Sequence, residues 1–395
     1  MAYKNCYLNS GLISSIYTIY YNQPQPNFSI TAKTVKNFNA ENGWDEGDST
    51  EEGGHIELCI TAKTGTSLNN SYKGSGSLFI SSTAGVVTWE GKGIRDNDLT
   101  RDAFGQPIAG SPFENNNNAT YTVDAFNEGK AFVYVRNSRA ANGITITVID
   151  SINSNMKGSI NLSWASETTP AGLAFEGENI RGFRKYSCIR DGSVKMIKIP
   201  AGPFDRGDGT YGGAPTVIRM NSYFMAESAI SNQQFQTWRN SPDAPIIQGR
   251  WTWDTDIEGT NNKSQNYPDH PAVYVSWNDA KRYCYWLMTG NQYAAADSTD
   301  LGGQFLPTEA QFEKASRGVK FLNWNINDAL NKIYPWGTLI PTEDNYCNWN
   351  YLSSGERPLQ GQYGTLSSNQ NYNPQGYYGV NDIAGNVFNM CRDQW

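Results

Sequence analysis

"PTEAQFEKASRG", Pro307 to Gly318, is a helix written out with both of its ends. Thr308 stands where an N-cap hydroxyl accepts a backbone N–H of the first turn. Gln311, three residues on, can reach back to the cap's own N–H, which completes a capping box. Phe312 and Ala315 fall three apart on one apolar face, and Gly318 closes the helix. Two upstream segments follow the same grammar. "SNQQFQTW" sets Ser231 three residues before Gln234, with Phe235 and Trp238 as its apolar face. "SWNDAKRYCYWL" sets Ser276 before Asp279, with Tyr283 and Trp286–Leu287 on the apolar side. Aromatics at this spacing read as core rather than as ligand contacts.

Toward the N-terminus the period changes from helical to two. "HIELCITAK", "GSLFISS", "GVVTWEG", "ATYTVDAF", "KAFVYVRN", "GITITVID" and "GSINLSW" are short β-branched or aromatic runs. Turn clusters such as "NNSYKGSG", "ENNNNA" and "RAANG" separate them. That spacing predicts an antiparallel sandwich over residues 1–165. The pattern resembles bacterial immunoglobulin-like adhesin domains, whose usual role is attachment or spacing. Residues 166–193 break the alternation and read as a linker or as the edge of the next domain. "SVKMIKIPAGPF" then opens the next unit as a strand entering a turn, so a second domain is placed at 194–395.

Composition narrows the function classes. Among 395 residues only 17% are charged while 13% are aromatic, which is not the balance of a disordered chain. A net charge of −7 argues against a general nucleic-acid partner. No apolar run reaches membrane-spanning length, so no membrane insertion is expected. The N-terminus, "MAYKNCYLNSGLISS", lacks the basic, apolar and small-residue regions of a signal peptide. The six cysteines, Cys6, Cys59, Cys188, Cys284, Cys347 and Cys391, are scattered without a C-x-x-C pair, which speaks against zinc. Only His55 and His270 are available for histidine chemistry, and His270, in "PDHPAV", reads as a turn residue.

The order of the second-half motifs is specific: "MIKIPAGPFDRG", "ISNQQFQTW", "HPAVYVSWNDAKRYCYWL", "FLPTEAQFEKASRG", "YPWG" and "YGVNDIAGNVFNM". Together they resemble the formylglycine-generating-enzyme, or sulfatase-modifying factor, family, a variant of the C-type lectin fold. This resemblance implies an α+β C-type lectin-like domain that is C-terminally incomplete, following the N-terminal all-β immunoglobulin-like sandwich read above. Active members of the family oxidise a cysteine of a sulfatase peptide to formylglycine, with copper held by two cysteines. In that family the pair follows a glycine-rich "RGGSW" strand downstream of the last motif. This sequence ends at Trp395, before such a segment, and Cys391 does not match the pair. Cys284 matches a structural position in the family. Two converging soft ligands are needed for a copper thiolate site, so copper is not expected.

Calcium is the second property that the resemblance implies. In "NDIAGNVFN", Asp382 matches the first side-chain ligand, and Gly385 and Val387 match backbone-carbonyl ligands. Asn389 replaces the family's closing glutamate with a neutral oxygen. Asn348 and the Trp349 carbonyl match the start of another calcium site. Calcium gains affinity with ligand charge, so a site short of one carboxylate is a weak, structural one.

The same fold serves variable proteins of diversity-generating retroelements, including phage receptor-binding proteins. Taken with the missing copper segment, this leads to the expectation of a non-catalytic binding protein, not an enzyme. It would be displayed on a phage tail or fibre, or on a cell surface. Its partners would be a host surface protein or glycan and other virion or surface-assembly proteins. It would be a homo-oligomer, by analogy a trimer, located on a virion or extracellular surface. Two alternatives stay open: a formylglycine-generating oxidase with active-site cysteines beyond Trp395, and a structural component of a phage particle or secretion complex. The residues that follow Trp395 discriminate among them.

Overall fold

The computed structural model describes residues 24–39, 43–47, 49–80, 87–92, 121–123, 126, 128–137, 139–179, 183–207, 216–242, 251, 267–290, 306–318, 376, 378–385, 387 and 389–393. The described chain is mostly β-sheet with three short helices.

Among the described residues, eleven strands belong to the N-terminal unit. They are β1 (Pro26–Asn39), β2 (Gly43–Glu46), β3 (Ser49–Glu51), β4 (His55–Thr64), β5 (Ser67–Leu68), β6 (Gly76–Ile80), β7 (Val87–Lys92), β8 (Tyr121–Val123), β9 (Lys130–Asn137), β10 (Ala141–Asp150) and β11 (Lys157–Ala165). One sheet runs β2-β1-β4-β9-β7, with β5 on the side of β4, and the other runs β3-β11-β10-β6-β8. Alternation produces the shared interior. Ile56, Leu58, Ile60 and Ala62 of β4 meet Ile144, Ile146 and Val148 of β10 in one core with Val133, Val135, Leu162 and Trp164. Every second residue of a strand faces the same way, so a period-two apolar pattern buries one face of each sheet.

The pairing is antiparallel throughout except at one edge, where β3 runs parallel to β11. The longest strand, β1, is absent from the runs singled out in the sequence. It pairs with β4 in continuous register from Pro26↔Thr64 to Val35↔His55. Its sequence, "PNFSITAKTVKNFN", dilutes the apolar alternation with threonine, lysine and asparagine.

Residues 166–193, read from sequence as a linker or the edge of the next domain, carry two strands. β12 (Leu173–Glu178) and β13 (Arg184–Cys188) join β14 (Lys195–Ile199) and β17 (Tyr223–Ala226) in a sheet of order β12-β13-β14-β17. β15 (Gly202–Arg206) and β16 (Thr216–Met220) form a separate ribbon. The helices are α1 (Asn232–Arg239), α2 (Trp277–Thr289) and α3 (Glu309–Arg317). Ser231, Ser276 and Thr308 cap them, and capping boxes with Gln234 and Gln311 close α1 and α3.

Two cores hold this half together. In one, Phe235, Trp238, Trp251, Tyr283, Trp286 and Leu287 pack against Leu173, Tyr186, Cys188 and Val194. Their rings meet mostly edge to face, as between Phe235 and Trp251 at 4.8 Å and 75°, the arrangement that ring quadrupoles favour. In the other, Phe183, Ile197, Ile199 and Ala315 pack against Tyr378, Val380 and Ile383.

The two halves meet at a buried ionic seam. Glu52, in the turn before β4, accepts the Ala140 N–H at 2.7 Å and the Glu167 N–H at 3.1 Å. Its Oε2 lies 3.5 Å from Arg184 Nη1. Arg184 Nε pairs with Glu167 Oε2 at 2.7 Å. Glu167 also takes the Lys198 ammonium and the Tyr186 hydroxyl. The Arg184 guanidinium lies over the Phe175 ring, 4.0 Å from its centroid. Two acids, Glu52 and Glu167, and two bases, Arg184 and Lys198, balance within the seam. Gly53 lets the turn come this close, since a Cβ there would lie 2.8 Å from Arg184 Cδ and its φ is +72°.

Candidate functional site

The last family-like motif is folded into the core by both of its flanks. Before it, the Gly376 N–H donates to the Val380 carbonyl at 2.9 Å and the Gly379 N–H to the Gly376 carbonyl at 2.8 Å. This tight turn buries Tyr378 and Val380 against Ala315 of α3. The Asn381 N–H donates to the Glu227 carbonyl at 2.6 Å. After the motif, Trp277 Nε1 at the start of α2 donates to the Cys391 carbonyl at 3.0 Å. The Arg392 N–H donates to the Pro307 carbonyl at 2.8 Å, and the Asp393 carboxylate accepts the Glu309 N–H. The segment therefore ties the Trp277 side chain at the start of α2 to the first turn of α3, where Asp393 satisfies one of the free helix N–H groups.

α3 is fixed in turn by a charge that sequence reasoning passed over. Lys314 is fully buried, and its ammonium donates to the carbonyls of Pro200 at 2.6 Å and Gly202 at 3.2 Å. A lysine beside Phe312 and Ala315 on a short amphipathic helix was the available signal. Its partners lie more than 100 residues earlier, where no local pattern points to them.

Asp382 sits at the centre of the motif, 7% exposed. Its Oδ2 is buried and has no hydrogen-bond partner. Burial pushes its carboxyl up to about 7. Its φ is +51°, a backbone conformation uncommon outside glycine. An ionised carboxylate held this way is costly unless a positive charge balances it, so the site either binds a proton or binds a cation. Gly385, at φ +76°, accepts the Val387 N–H at 2.8 Å, which turns the backbone tightly beside Asp382. Val387 is half-buried, and Asn389 is exposed. Asn348 and Trp349 lie outside the described residues, so the second calcium site implied by the resemblance lies outside them too.

The described residues include four of the six cysteines. Cys59, Cys188, Cys284 and Cys391 are free. Cys188 of β13 and Cys284 of α2 share the aromatic core, and burial pushes both thiols up to about 12. Such thiols stay protonated at neutral pH, whereas the thiolate is the ligand form. Cys391 is half-buried, and burial together with Asp393 and Glu309 raises its thiol as well. Among the described residues no group of three or more His, Cys, Asp or Glu side chains is placed to hold a metal ion. The described residues thus do not fit a copper thiolate site. Also among the described residues, no helix is long and apolar enough to cross a membrane.

Comparison with known proteins gives the fold a family. The model of the sulfatase-modifying factor enzyme 1-like domain matches residues 189–395. The formylglycine-generating enzyme of Bos taurus is 27% identical over 247 residues, covering 51% of this chain and 58% of that protein. The formylglycine-generating enzyme of Thermomonospora curvata is 28% identical over 248 residues, covering 51% and 71%. The inactive C-alpha-formylglycine-generating enzyme 2 of Bos taurus is 30% identical over 128 residues, covering 32% and 34%. The chain therefore spans 58% of the length of the bovine enzyme.

These relatives correct the expectation of a non-catalytic phage or surface receptor-binding protein. The longest of these matches carry the name of an enzyme, and nothing in them points to receptor binding. The expectation treated a missing cysteine pair as lost catalysis. A donor pair outside the described residues leaves the scaffold's chemistry open.

Proposed function

Since the chain belongs to the sulfatase-modifying factor enzyme 1-like domain family through residues 189–395, we propose that its C-terminal unit is the scaffold of an oxidase that turns a protein cysteine into formylglycine. The observation that carries this reading is the family match over residues 189–395, which includes the capped helices and the Asp382 motif, together with the similarity to formylglycine-generating enzymes. Replacing a C–S bond by C=O with loss of hydrogen sulfide releases two electrons, so the reaction needs an oxidant. The metal-holding thiols would come from outside the described residues, because burial holds Cys188, Cys284 and Cys391 in the protonated form. No step is assigned to Cys188, Cys284 or Cys391.

In this reading the N-terminal unit is an immunoglobulin-like sandwich that carries the oxidase, and residues 194–395 adopt the C-type lectin-like arrangement. A calcium ion at Asp382, with the Gly385 and Val387 carbonyls, would be structural. The buried, unpartnered Oδ2 supports it. A hard oxygen set with one carboxylate suits a weak calcium site.

The test is direct. Protein made from the whole reading frame is supplied with copper, dioxygen, a thiol reductant and a cysteine-containing sulfatase peptide. The expected result is an aldehyde in place of the thiol, seen by mass spectrometry and by hydrazide capture. Folded, copper-loaded protein that leaves the peptide thiol intact would refute the oxidase.

A further inference from the structure

Asn179 lies before the start of the family match at residue 189, yet its side chain reaches the motif that ends that match. It closes the β12–β13 hairpin with its own backbone, donating its N–H to the Phe183 carbonyl at 2.8 Å. Its Oδ1 accepts the Phe183 N–H at 3.0 Å. Its Nδ2 donates to the Tyr378 carbonyl at 2.8 Å, across 199 residues of sequence. Phe183, 1% exposed, sets its ring against that of Tyr378, with centroids 4.8 Å apart at 72°.

The other tie to the motif leads back to the same hairpin. Asn381 donates to the Glu227 carbonyl at 2.6 Å. The Glu227 carboxylate is held by Lys185 of β13, with Nζ 2.8 Å and 2.6 Å from its two oxygens. Thus Tyr378 and Asn381, which precede Asp382 by four residues and one, are each fastened to β12–β13 or to a residue that β13 holds. Fixing two backbone points this close leaves Asp382 little freedom, and that is how an uncommon φ is kept.

We propose that the β12–β13 hairpin is a clamp on the Asp382 loop and that Asn179 is its positioning residue. The hairpin also carries Arg184, the centre of the ionic seam, so the clamp is anchored on the N-terminal unit as well. A hydrogen bond from a held amide to a held carbonyl restricts local opening of the loop it joins.

The experiment compares full-length wild type with Asn179→Asp, Asn179→Ala and Val148→Ala. Asn179→Asp keeps the acceptor for Phe183 and loses the donor to Tyr378, whereas Asn179→Ala loses both. Amide exchange is followed by mass spectrometry in peptides from 376–387 and from 184–188. In Asn179→Asp, exchange in 376–387 should rise about tenfold, the worth of one lost hydrogen bond, while 184–188 keeps its protection. Val148→Ala, in the distant aliphatic core, should lower the melting temperature and leave 376–387 unchanged.

A second arm rests on the reading of Asp382 as a cation ligand. Calcium titrated into Asn179→Asp should bind several-fold more weakly than to wild type, and Asp382→Ala should not bind it. If Asp382→Ala binds calcium like wild type, the cation reading falls and the exchange data still judge the clamp. Unchanged exchange in 376–387 for both Asn179 variants overturns the clamp. Equal loss of protection in 184–188 does so too, since it would make Asn179 only a hairpin residue.

Discussion

Between the sheets of residues 26–165 the described buried side chains are mainly aliphatic, with Phe28, Phe126 and Trp164 as the aromatics of the cluster. Among the described residues there, His55, Asn137 and Asp150 are the buried polar ones. From Arg184 onward the described chain buries eight: Arg184, Asp191, Ser231, Asn232, Asp279, Lys314, Ser316 and Asp382. Its first core is built of tryptophan, tyrosine and phenylalanine. The difference teaches where specificity lies. An aliphatic two-sheet core is stabilised by area removed from water and tolerates exchange of similar shapes. A core that encloses ammonium, guanidinium and carboxyl groups depends on each of them finding its partner. The N-terminal core therefore tolerates exchange of similar shapes, and the C-terminal unit holds the buried polar groups that distant contacts must complete.

The seam is where the comparison breaks most easily. Arg184→Ala leaves Glu167, 3% exposed at its side chain, with one of its two cationic partners removed. The expected loss is about 3–5 kcal/mol, the usual result of opening a buried ion pair from one side. Urea unfolding measures it. Limited proteolysis should find residues 173–188 protected in wild type and cleaved in the variant. A loss under about 1 kcal/mol would reduce the seam to a surface-like contact and make the halves independent.

Asp382 sharpens the contrast through pH. In the folded chain its carboxyl holds the proton up to about 7, against an ordinary value of 3.8 in the unfolded chain. Between those values the folded state binds more protons, so its stability falls as pH rises through that window and levels off above it. In chelator, Asp382→Asn should remove that slope and be more stable than wild type at pH 8, by on the order of 2–4 kcal/mol. Thermal melts from pH 4 to pH 8 show it. Identical slopes in both proteins would mean that Asp382 is solvated and no burial strain exists.

The smallest effect concerns local order alone. Thr308→Ala removes the hydroxyl that accepts the Gln311 N–H at 3.1 Å. The loss should be about 1 kcal/mol, read by the same urea titration. It should leave Lys314 in place, because the ammonium is held by Pro200 and Gly202 rather than by the cap. A loss as large as that of Arg184→Ala would show that the cap, not the buried lysine, fixes α3.

Local chemistry was legible before any coordinates. Ser231, Ser276 and Thr308 cap the helices at the residues their spacing indicates. "KAFVYVRN" is β9 from end to end, and "GITITVID" and "GSINLSW" fall within β10 and β11. Caps and alternation act within a few residues, so the sequence carries them openly. The order of motifs also identified the family of residues 189–395. Asp382, too, stood out as the charged residue of its motif.

What stayed hidden depends on partners far along the chain. The stretch 166–193 read equally as a linker or as the edge of the next domain, because β12 and β13 are short, and only pairing with β14 makes them a sheet edge. Glu52, Glu167 and Arg184 are ordinary charges until folding removes water from all three at once. Asn179 reaches Tyr378 across 199 residues, and Lys314 reaches Pro200 across 114. Burial, charge pairing and the fixing of a loop arise from contacts between segments that no local spacing encodes.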